Sequence, residues 1–189
     1  MAKGKYLAFL DQDDCMFSTS LITRLSVAEE LKSDMLFTSY VPRTMSAGGI
    51  ELGIHAPRRL ACCKNAHPPF NKELLLQEVE TRNITHPSVV MVRRDTFIKC
   101  GGCEPGLIVD DDRLLWRRIL ELDDSIVSYI DEPTAYVSKM AMGENQSVLR
   151  RMPSRDGFEL NETDIAGACG QYLDAQARIR GRVWSSNRS

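Results

Sequence analysis

The sequence has no surplus of basic residues and no long apolar run. Its 189 residues include 24 basic and 26 acidic side chains, a formal net charge of −2. Nucleic-acid-binding domains usually carry a basic surplus, so this balance does not indicate nucleic acid as a partner. No apolar stretch approaches the roughly 18–20 residues of a membrane-spanning helix, and no signal peptide is recognisable. We therefore expect a cytoplasmic protein, with peripheral membrane association as an open alternative.

The six cysteines do not predict a disulfide framework, because such frameworks belong to secreted proteins. Cys100 and Cys103 have the C-x-x-C spacing of redox motifs and zinc sites. A zinc site would need a second pair, for which only the adjacent Cys62 and Cys63 are candidates, with His67 nearby. Adjacent cysteines fit tetrahedral coordination poorly. Packing cysteines are the main interpretation, and a zinc or redox protein stays open as an alternative.

The composition is that of a globular protein, with 43% hydrophobic and 26% charged residues. We expect one domain over residues 1–150, followed by a C-terminal helix and a flexible tail over residues 151–189. The chain is long enough to bury a substantial core.

Apolar periodicity predicts a strand at residues 6–10, a helix capped by Ser18 or Ser20, and a strand at residues 34–41 that Pro42 ends. A strand, a helix and a strand in this order favour a parallel sheet. The helix is predicted to bury its apolar stripe and to keep its charged residues outside. The stripe comprises Leu21, Leu25, Ala28 and Leu31, and Arg24 lies among the outer residues.

The rest of the chain is predicted as a hairpin or loop region followed by alternating helices and strands. Asn71 is expected to cap a helix, and Gly101 and Gly102 are expected to end another. The expected elements are a loop or hairpin at 43–71, helices at 71–79, 94–100 and 113–122, and strands at 87–93, 125–130 and 134–137. In the helix at 113–122, the predicted buried stripe is Leu115, Ile119 and Leu122.

The first acidic cluster comprises Asp11, Asp13 and Asp14, directly after the apolar residues 6–10. Ligands of open α/β sheets bind beyond the carboxyl ends of strands. Carboxylate oxygens suit hard cations such as Mg²⁺ or Mn²⁺. Aspartate is also common in ordinary turns, but three mutually repelling carboxylates exceed what a turn requires. The cluster therefore indicates a metal or ligand site.

The second acidic cluster comprises Asp110, Asp111 and Asp112, at the start of a predicted helix. Helix capping and the helix dipole favour aspartate at such a position. Capping accounts for one or two of these residues and not obviously for three. A carboxylate in this place could act as a general base.

Four motifs in order resemble those of the family 2 inverting glycosyltransferases. Residues 2–14 read AKGKYLAFLDQDD, where the family typically has A-x-G-x-Y-I-A-F-L-D-x-D-D. Residues 85–94 resemble the family's strand with a small hydroxyl residue and a following arginine. Residues 101–104 resemble its G-G-F-D/E turn, and residues 111–118 its E-D-x-x-L-W-x-R motif. They are distributed in order across about residues 2–118.

The resemblance implies an α/β fold of the GT-A (Rossmann-like) type, with a mixed sheet and flanking helices. Asp11 and Asp13 match the D-x-D motif, which would hold the ribose of a nucleotide-sugar donor and a Mn²⁺ or Mg²⁺ on its diphosphate. Asp112 matches the general base that deprotonates an acceptor hydroxyl, and Asp111 takes the place of the motif's glutamate. The implied reaction transfers a sugar, with inversion, to a glycan or lipid-linked acceptor.

Three further residues receive roles from the same resemblance. Trp116 would line the acceptor side, with ordinary core packing as the alternative. His86 and Ser88 would border the donor sugar, although a histidine next to a proline is more often structural. Arg118 is expected to support the acidic turn.

Besides Asp111 in place of the motif's glutamate, the sequence departs from the family at two further positions. Cys103 replaces the usual phenylalanine, and no histidine follows Tyr136, so that Lys139 would be the substitute partner of the diphosphate. The chain also lacks the family's upstream strands, which carry the nucleobase-binding aspartate. We therefore expect a fragment of a longer enzyme, with weak or absent activity alone. The alternative is a non-catalytic homologue that serves as a binding or assembly module.

Overall fold

The computed structural model describes residues 2–46, 48–60, 70–82, 85–106 and 111–141. The strands in these ranges are β1 (Tyr6–Ala8), β2 (Cys15–Met16), β3 (Met35–Met45), β4 (Glu51–Ile54), β5 (Val90–Arg93) and β6 (Val127–Met140). The α-helices are α1 (Ser20–Glu30), α2 (Lys72–Arg82), α3 (Arg94–Lys99) and α4 (Asp111–Leu120). The helix and tail predicted within residues 151–189 lie outside the described residues.

The described strands form one mixed sheet in the order β1-β5-β3-β6-β2, and β4 pairs with one end of β3. β3 and β6 are parallel, whereas the other pairs are antiparallel. β1 and β3 run in the same direction, as a strand–helix–strand unit predicts, but β5 lies between them in the opposite direction. The prediction of a parallel sheet is therefore wrong, and that of a mixed α/β sheet with flanking helices is confirmed.

The two central strands are longer than predicted because prolines do not end them. β3 continues through Pro42 to Met45, and one strand, β6, replaces the two short strands expected around Pro133. The pairing changes from Thr38 opposite Ile130 to Ser39 opposite Pro133, so β6 has extra residues at this point. Such a bulge accommodates a residue that cannot donate a ladder hydrogen bond. Residues 51–54 pair with the end of β3, which confirms the predicted hairpin.

The buried face of α1 differs from the predicted one. Ser20, Arg24 and Ala28 are buried, whereas Leu21 and Leu25 are 53% and 40% exposed. The Arg24 guanidinium donates to the carbonyl oxygens of Ser88 (3.1 Å) and Val90 (3.5 Å), and to the Ser20 hydroxyl (2.7 Å). Burial lowers the pKa of Arg24 to about 10. The prediction failed because hydrogen bonds to a neighbouring strand can place an arginine inside.

The main core lies between the central strands and helices α2 and α4, which contact each other. Phe37 and Trp116 meet edge to face in it, with ring centroids 6.5 Å apart. Leu115 and Ile119 are buried as predicted, whereas Leu122 follows the end of α4 and is half-buried. The other buried members are Met35, Leu60, Leu75, Val79, Val90, Val92, Leu120 and Val127.

Two helix ends were predicted correctly, whereas the predicted cap of α1 by Ser18 or Ser20 is wrong. Thr19 takes the N-cap position, in a helical conformation and without a side-chain capping hydrogen bond, and Ser20 already lies inside the helix. The Asn71 side chain accepts hydrogen bonds from the backbone N–H groups of Glu73 (2.9 Å) and Leu74 (3.2 Å), as an N-cap does. Gly101 and Gly102 end α3 with φ of +82° and +68°. Residues 87–89, predicted as strand, form a 3₁₀ turn instead. No described helix is long and apolar enough to cross a membrane.

Candidate active site

The acidic turn, residues 11–14, begins where β1 ends. The Asp14 N–H donates to the Asp11 carbonyl (3.1 Å), which closes the turn. The Asp11 N–H donates to the Ser88 hydroxyl (3.0 Å) on the 3₁₀ turn before β5. Because β1 pairs with β5, the strand register brings these two segments together.

Asp14 faces inward and holds the turn to β6. Its carboxylate accepts hydrogen bonds from the Ser138 backbone N–H (2.8 Å) and from the Ser88 side chain. Burial raises the pKa of Asp14, and the two hydrogen bonds oppose this shift. Asp14 thus has a structural task, whereas Asp11 is exposed and Asp13 half-buried.

One cavity of about 210 Å³ joins the two acidic clusters. Asp11 lines it from the end of β1, and Asp111 and Asp112 line it from the first turn of α4. The remaining lining residues are mostly apolar: Phe9, Leu10, Pro87, Cys103, Leu115 and Trp116. The structure therefore places four of the predicted site residues around one space, the three aspartates and Trp116. Asp13 is not among the residues that line it, and Asp110 lies outside the described part of the chain.

The turn at residues 101–104 closes this cavity beside the helix start. Burial raises the pKa of the Cys103 thiol, and a hydrogen bond to the Asp111 carboxylate raises it further. Arg118 donates to the Gly102 carbonyl (3.2 Å) and pairs with Glu104. The prediction that Arg118 supports the acidic turn at residues 11–14 is therefore wrong, because its side chain binds the glycine turn instead.

Trp116 forms a wall of the cavity but belongs to the core. Its side chain is fully buried, and its indole N–H donates to the Thr85 carbonyl (3.1 Å). The Phe9 ring packs against it edge to face at 5.4 Å. These contacts are those of core packing, and they limit what its ring can offer to an acceptor.

His86 and Ser88 lie behind the acidic turn and not along the cavity. Ser88 is fully buried and bridges Asp11 to Asp14. His86 packs edge to face on Tyr40 at 5.0 Å, and its Nε2 is buried without a hydrogen-bond partner. The pKa of His86 is lowered to about 4, mainly by burial and also by the charge of Lys139, while Asp13 opposes this shift. A neutral imidazole thus lies close to Asp13 and Lys139.

The carboxylates of Asp11 and Asp13 are chemically suited to a hard divalent cation. Among the described residues, no group of three His, Cys, Asp or Glu side chains is close enough to hold a metal ion. Mg²⁺ and its analogues often bind through one or two carboxylates, with water and substrate phosphates as the other ligands. The donor set therefore fits a cation that is bound together with a phosphate-bearing substrate.

The C-x-x-C pair shows no feature of a redox or zinc site. Cys100 and Cys103 are free thiols, and burial is the main cause that raises the pKa of both. A raised pKa disfavours the thiolate that metal binding and disulfide exchange require. The second pair, Cys62 and Cys63, and His67 lie outside the described residues.

Sequence reasoning missed Arg43 and Ser138, which both bind the peptide of Asp13. They are 30 and 125 positions away from it, and nothing local marks them. The pairing of β3 with β6 places Arg43 and Ser138 opposite each other. Only a correct prediction of that pairing would have identified them.

The chain was compared with known proteins in three ways. No family model matches it, and no curated protein matches it. Solved structures are similar to it, among them S. aureus TarS 1-349 in complex with UDP-GlcNAc, at a TM-score of 0.49 and 18% identity. That match covers 73% of this chain and 36% of the TarS chain, so this chain spans little more than a third of TarS. At these values the likeness carries no conclusion about activity or ligands.

Proposed function

We propose that the protein transfers a sugar from a nucleotide-sugar donor to a hydroxyl of a glycan or lipid-linked acceptor, with inversion. The observation that carries this proposal is the single cavity that joins Asp11, at the end of β1, to Asp111 and Asp112, at the start of α4. Acidic groups that reach one space from two different segments suit a reaction in which one segment binds the donor and the other activates the acceptor.

Asp112 is the proposed general base. It accepts the proton of the acceptor hydroxyl while the hydroxyl oxygen forms a bond to the anomeric carbon of the donor sugar. The bond from that carbon to the diphosphate oxygen breaks on the opposite face, and the nucleoside diphosphate leaves with the electron pair. Configuration inverts because attack and departure are in line. Asp111, beside it, orients the acceptor and receives a hydrogen bond from Cys103.

Asp11 and Asp13 are the proposed donor-side residues. They bind the ribose and hold a Mn²⁺ or Mg²⁺. When bound, this cation stabilises the negative charge that gathers on the departing diphosphate. Their own task is to fix the position of the donor, which the hydrogen bond from Asp11 to Ser88 supports (3.0 Å).

The remaining predicted residues receive supporting roles in the proposal. Ser88 orients the acidic turn, His86 borders the donor beside Asp13, and Trp116 shapes the acceptor wall. Support comes from the Ser88 bridge between Asp11 and Asp14, the buried Nε2 of His86 and the position of Trp116 in the cavity lining.

The test is sugar transfer from a panel of nucleotide sugars, with Asp112→Asn and Asp13→Ala as the decisive variants. Loss of a general base typically lowers the rate about 10²–10⁴-fold, so we expect a decrease of that order in kcat for Asp112→Asn. Asp13→Ala should mainly weaken donor binding and shift the Mn²⁺ requirement to higher concentrations. Rates are measured by release of nucleoside diphosphate with and without acceptor.

Asp124→Asn is the matched control, because Asp124 is exposed and pairs only with surface Lys99 in the contacts seen here. It removes the same charge away from the cavity and should leave turnover unchanged. If Asp112→Asn and Asp13→Ala both keep wild-type turnover, the assignments of base and metal ligand are wrong.

A binding module without catalysis is the second candidate. The observation in its favour is that Asp13 does not line the cavity that holds Asp112. Calorimetric titration of UDP and GDP with Mn²⁺ distinguishes a protein with either function, which binds a nucleotide, from an inert fold, which binds none. Metal-dependent nucleotide binding without transfer supports the module, and binding with transfer supports the enzyme.

A further inference from the structure

We propose that Arg43 is a positioning residue of the acidic turn: it fixes the peptide of Asp13, and thereby the direction of the Asp13 carboxylate, for a cation-bound nucleoside diphosphate. The inference rests on the proposed function and adds a residue to it that no motif in the sequence marks.

Arg43 and Ser138 form a closed set of hydrogen bonds with Asp13. The Arg43 Nη2 donates to the Asp13 carbonyl at 3.1 Å, and its Nε donates to the Ser138 hydroxyl at 2.9 Å. The Ser138 hydroxyl in turn donates to the same Asp13 carbonyl. A carbonyl that accepts from two directions cannot rotate, so the peptide plane between residues 13 and 14 is fixed.

The sheet itself holds Arg43 in this position. Arg43 and Ser138 are register partners on the parallel strands β3 and β6, so both side chains reach the turn from neighbouring positions. The guanidinium lies over the Tyr136 ring at 5.7 Å, and the Phe17 ring packs edge to face against Tyr136 at 4.9 Å. An arginine held between a ring and two hydrogen-bond acceptors has little freedom left.

The same elements engage Asp14, which separates the tasks within the turn. The Ser138 N–H donates to the Asp14 carboxylate at 2.8 Å. Asp14 is thus tied to β6 by its side chain, whereas Asp13 is tied to β3 and β6 by its main chain. Because the Asp13 carbonyl is held, the backbone fixes the direction of the Cα–Cβ bond that carries the Asp13 carboxylate.

The test is calorimetric titration of UDP, and separately GDP, into the 189-residue chain with saturating Mn²⁺. Arg43→Met should weaken metal-dependent binding of the nucleotide at least tenfold. Arg43→Lys keeps the charge but loses the two-pronged donor, so we expect an intermediate affinity. Arg59→Met is the matched control, because Arg59 is a half-exposed arginine that pairs with Asp131 (3.3 Å). This variant should bind the nucleotide as the wild type does.

A thermal melt by circular dichroism accompanies each titration. If Arg43→Met does not fold, Arg43→Lys and Ser138→Ala decide, since each removes part of the set and both should lower affinity. A folded Arg43→Met with wild-type affinity overturns the inference, even if its melting temperature falls. The same holds if Arg43→Lys and Ser138→Ala both bind as the wild type does. If the wild-type chain binds neither nucleotide with Mn²⁺, the proposed function falls and this inference with it.

Discussion

His86 gives the clearest pH-dependent prediction at the scale of single residues. Its pKa falls from 6.5 to about 4 in the folded state, mainly through burial. The folded protein therefore binds fewer protons than the unfolded chain between these two pH values. Stability that is present above pH 6.5 should be lost as the pH falls towards 4, by up to about 3 kcal/mol. Urea denaturation of metal-free protein at pH 7.5, 6.0, 5.0 and 4.5 measures the loss.

His86→Gln removes this titration, so the difference in unfolding free energy between wild type and variant should shrink steadily below pH 6.5. His55→Gln is the control for an exposed histidine and should leave the pH dependence of the wild type intact. A wild-type-to-His86→Gln difference that is constant from pH 7.5 to 4.5 contradicts the prediction.

At the same scale, the sequence indicated which residues form a site better than it indicated which residues are buried. The two acidic clusters could be recognised because carboxylates concentrated at element ends are unusual. The burial of Arg24 could not, because its partners are carbonyl oxygens of residues 88 and 90, more than 60 positions away. Likewise, the motif at residues 85–94 predicted that Ser88 borders the donor sugar, but Ser88 is buried beneath the acidic turn.

At the scale of elements, the end of α3 offers a comparison between neighbouring glycines. Gly101 and Gly102 both have positive φ. A Cβ added at Gly102 would lie 3.0 Å from the Phe97 ring, whereas a Cβ added at Gly101 would have no atom within 4 Å. A left-handed residue other than glycine costs roughly 1–2 kcal/mol. Gly101→Ala should therefore destabilise by about 1 kcal/mol. Gly102→Ala should cost about 2–3 kcal/mol, because the ring must also shift.

Chemical denaturation of both variants measures these costs, and Gly101→Ala serves as the control for the conformational part. Equal destabilisation by the two alanines would mean that the Phe97 ring yields freely. Because the Gly102 carbonyl accepts from Arg118 (3.2 Å), Gly102→Ala should also lower turnover in the transfer assay, more than Gly101→Ala does.

Elements defined by local signals were predicted, and those defined by partners were not. The Asn71 cap and the glycine end of α3 depend on neighbours within a few positions. The continuation of β3 through Pro42 depends on β6 beside it and on a bulge there. Composition and periodicity describe a single segment. A prediction based on them therefore ends a strand at a proline, even when pairing with a neighbouring strand extends it further.

At the scale of the whole molecule, the sequence placed the two acidic clusters in one site only through the resemblance to a family. Nothing in composition or periodicity says that Asp11 and Asp112 line one cavity. The sheet does this, because β1 and the 3₁₀ turn before β5 lie side by side, and Trp116 of α4 bonds to Thr85 just before that turn. Motif order carried information that segment-by-segment prediction lacks.

The acidic turn connects β1, β3 and β6, so a ligand bound there should stabilise the fold as a unit. Mn²⁺ with UDP at about ten times its dissociation constant adds about 1.4 kcal/mol, which for a chain of this size raises Tm by about 3–5 °C. Thermal melts with Mn²⁺ alone, with UDP and EDTA, and with both ligands measure the shift. Only Mn²⁺ and UDP together should produce it, and Asp13→Ala should abolish it while Asp124→Asn retains it. Removing the metal or its ligand must remove the stabilisation that depends on them. An equal shift in Tm with EDTA would therefore show that the nucleotide binds without the cation. An equal shift in Asp13→Ala would show that the nucleotide binds away from the turn.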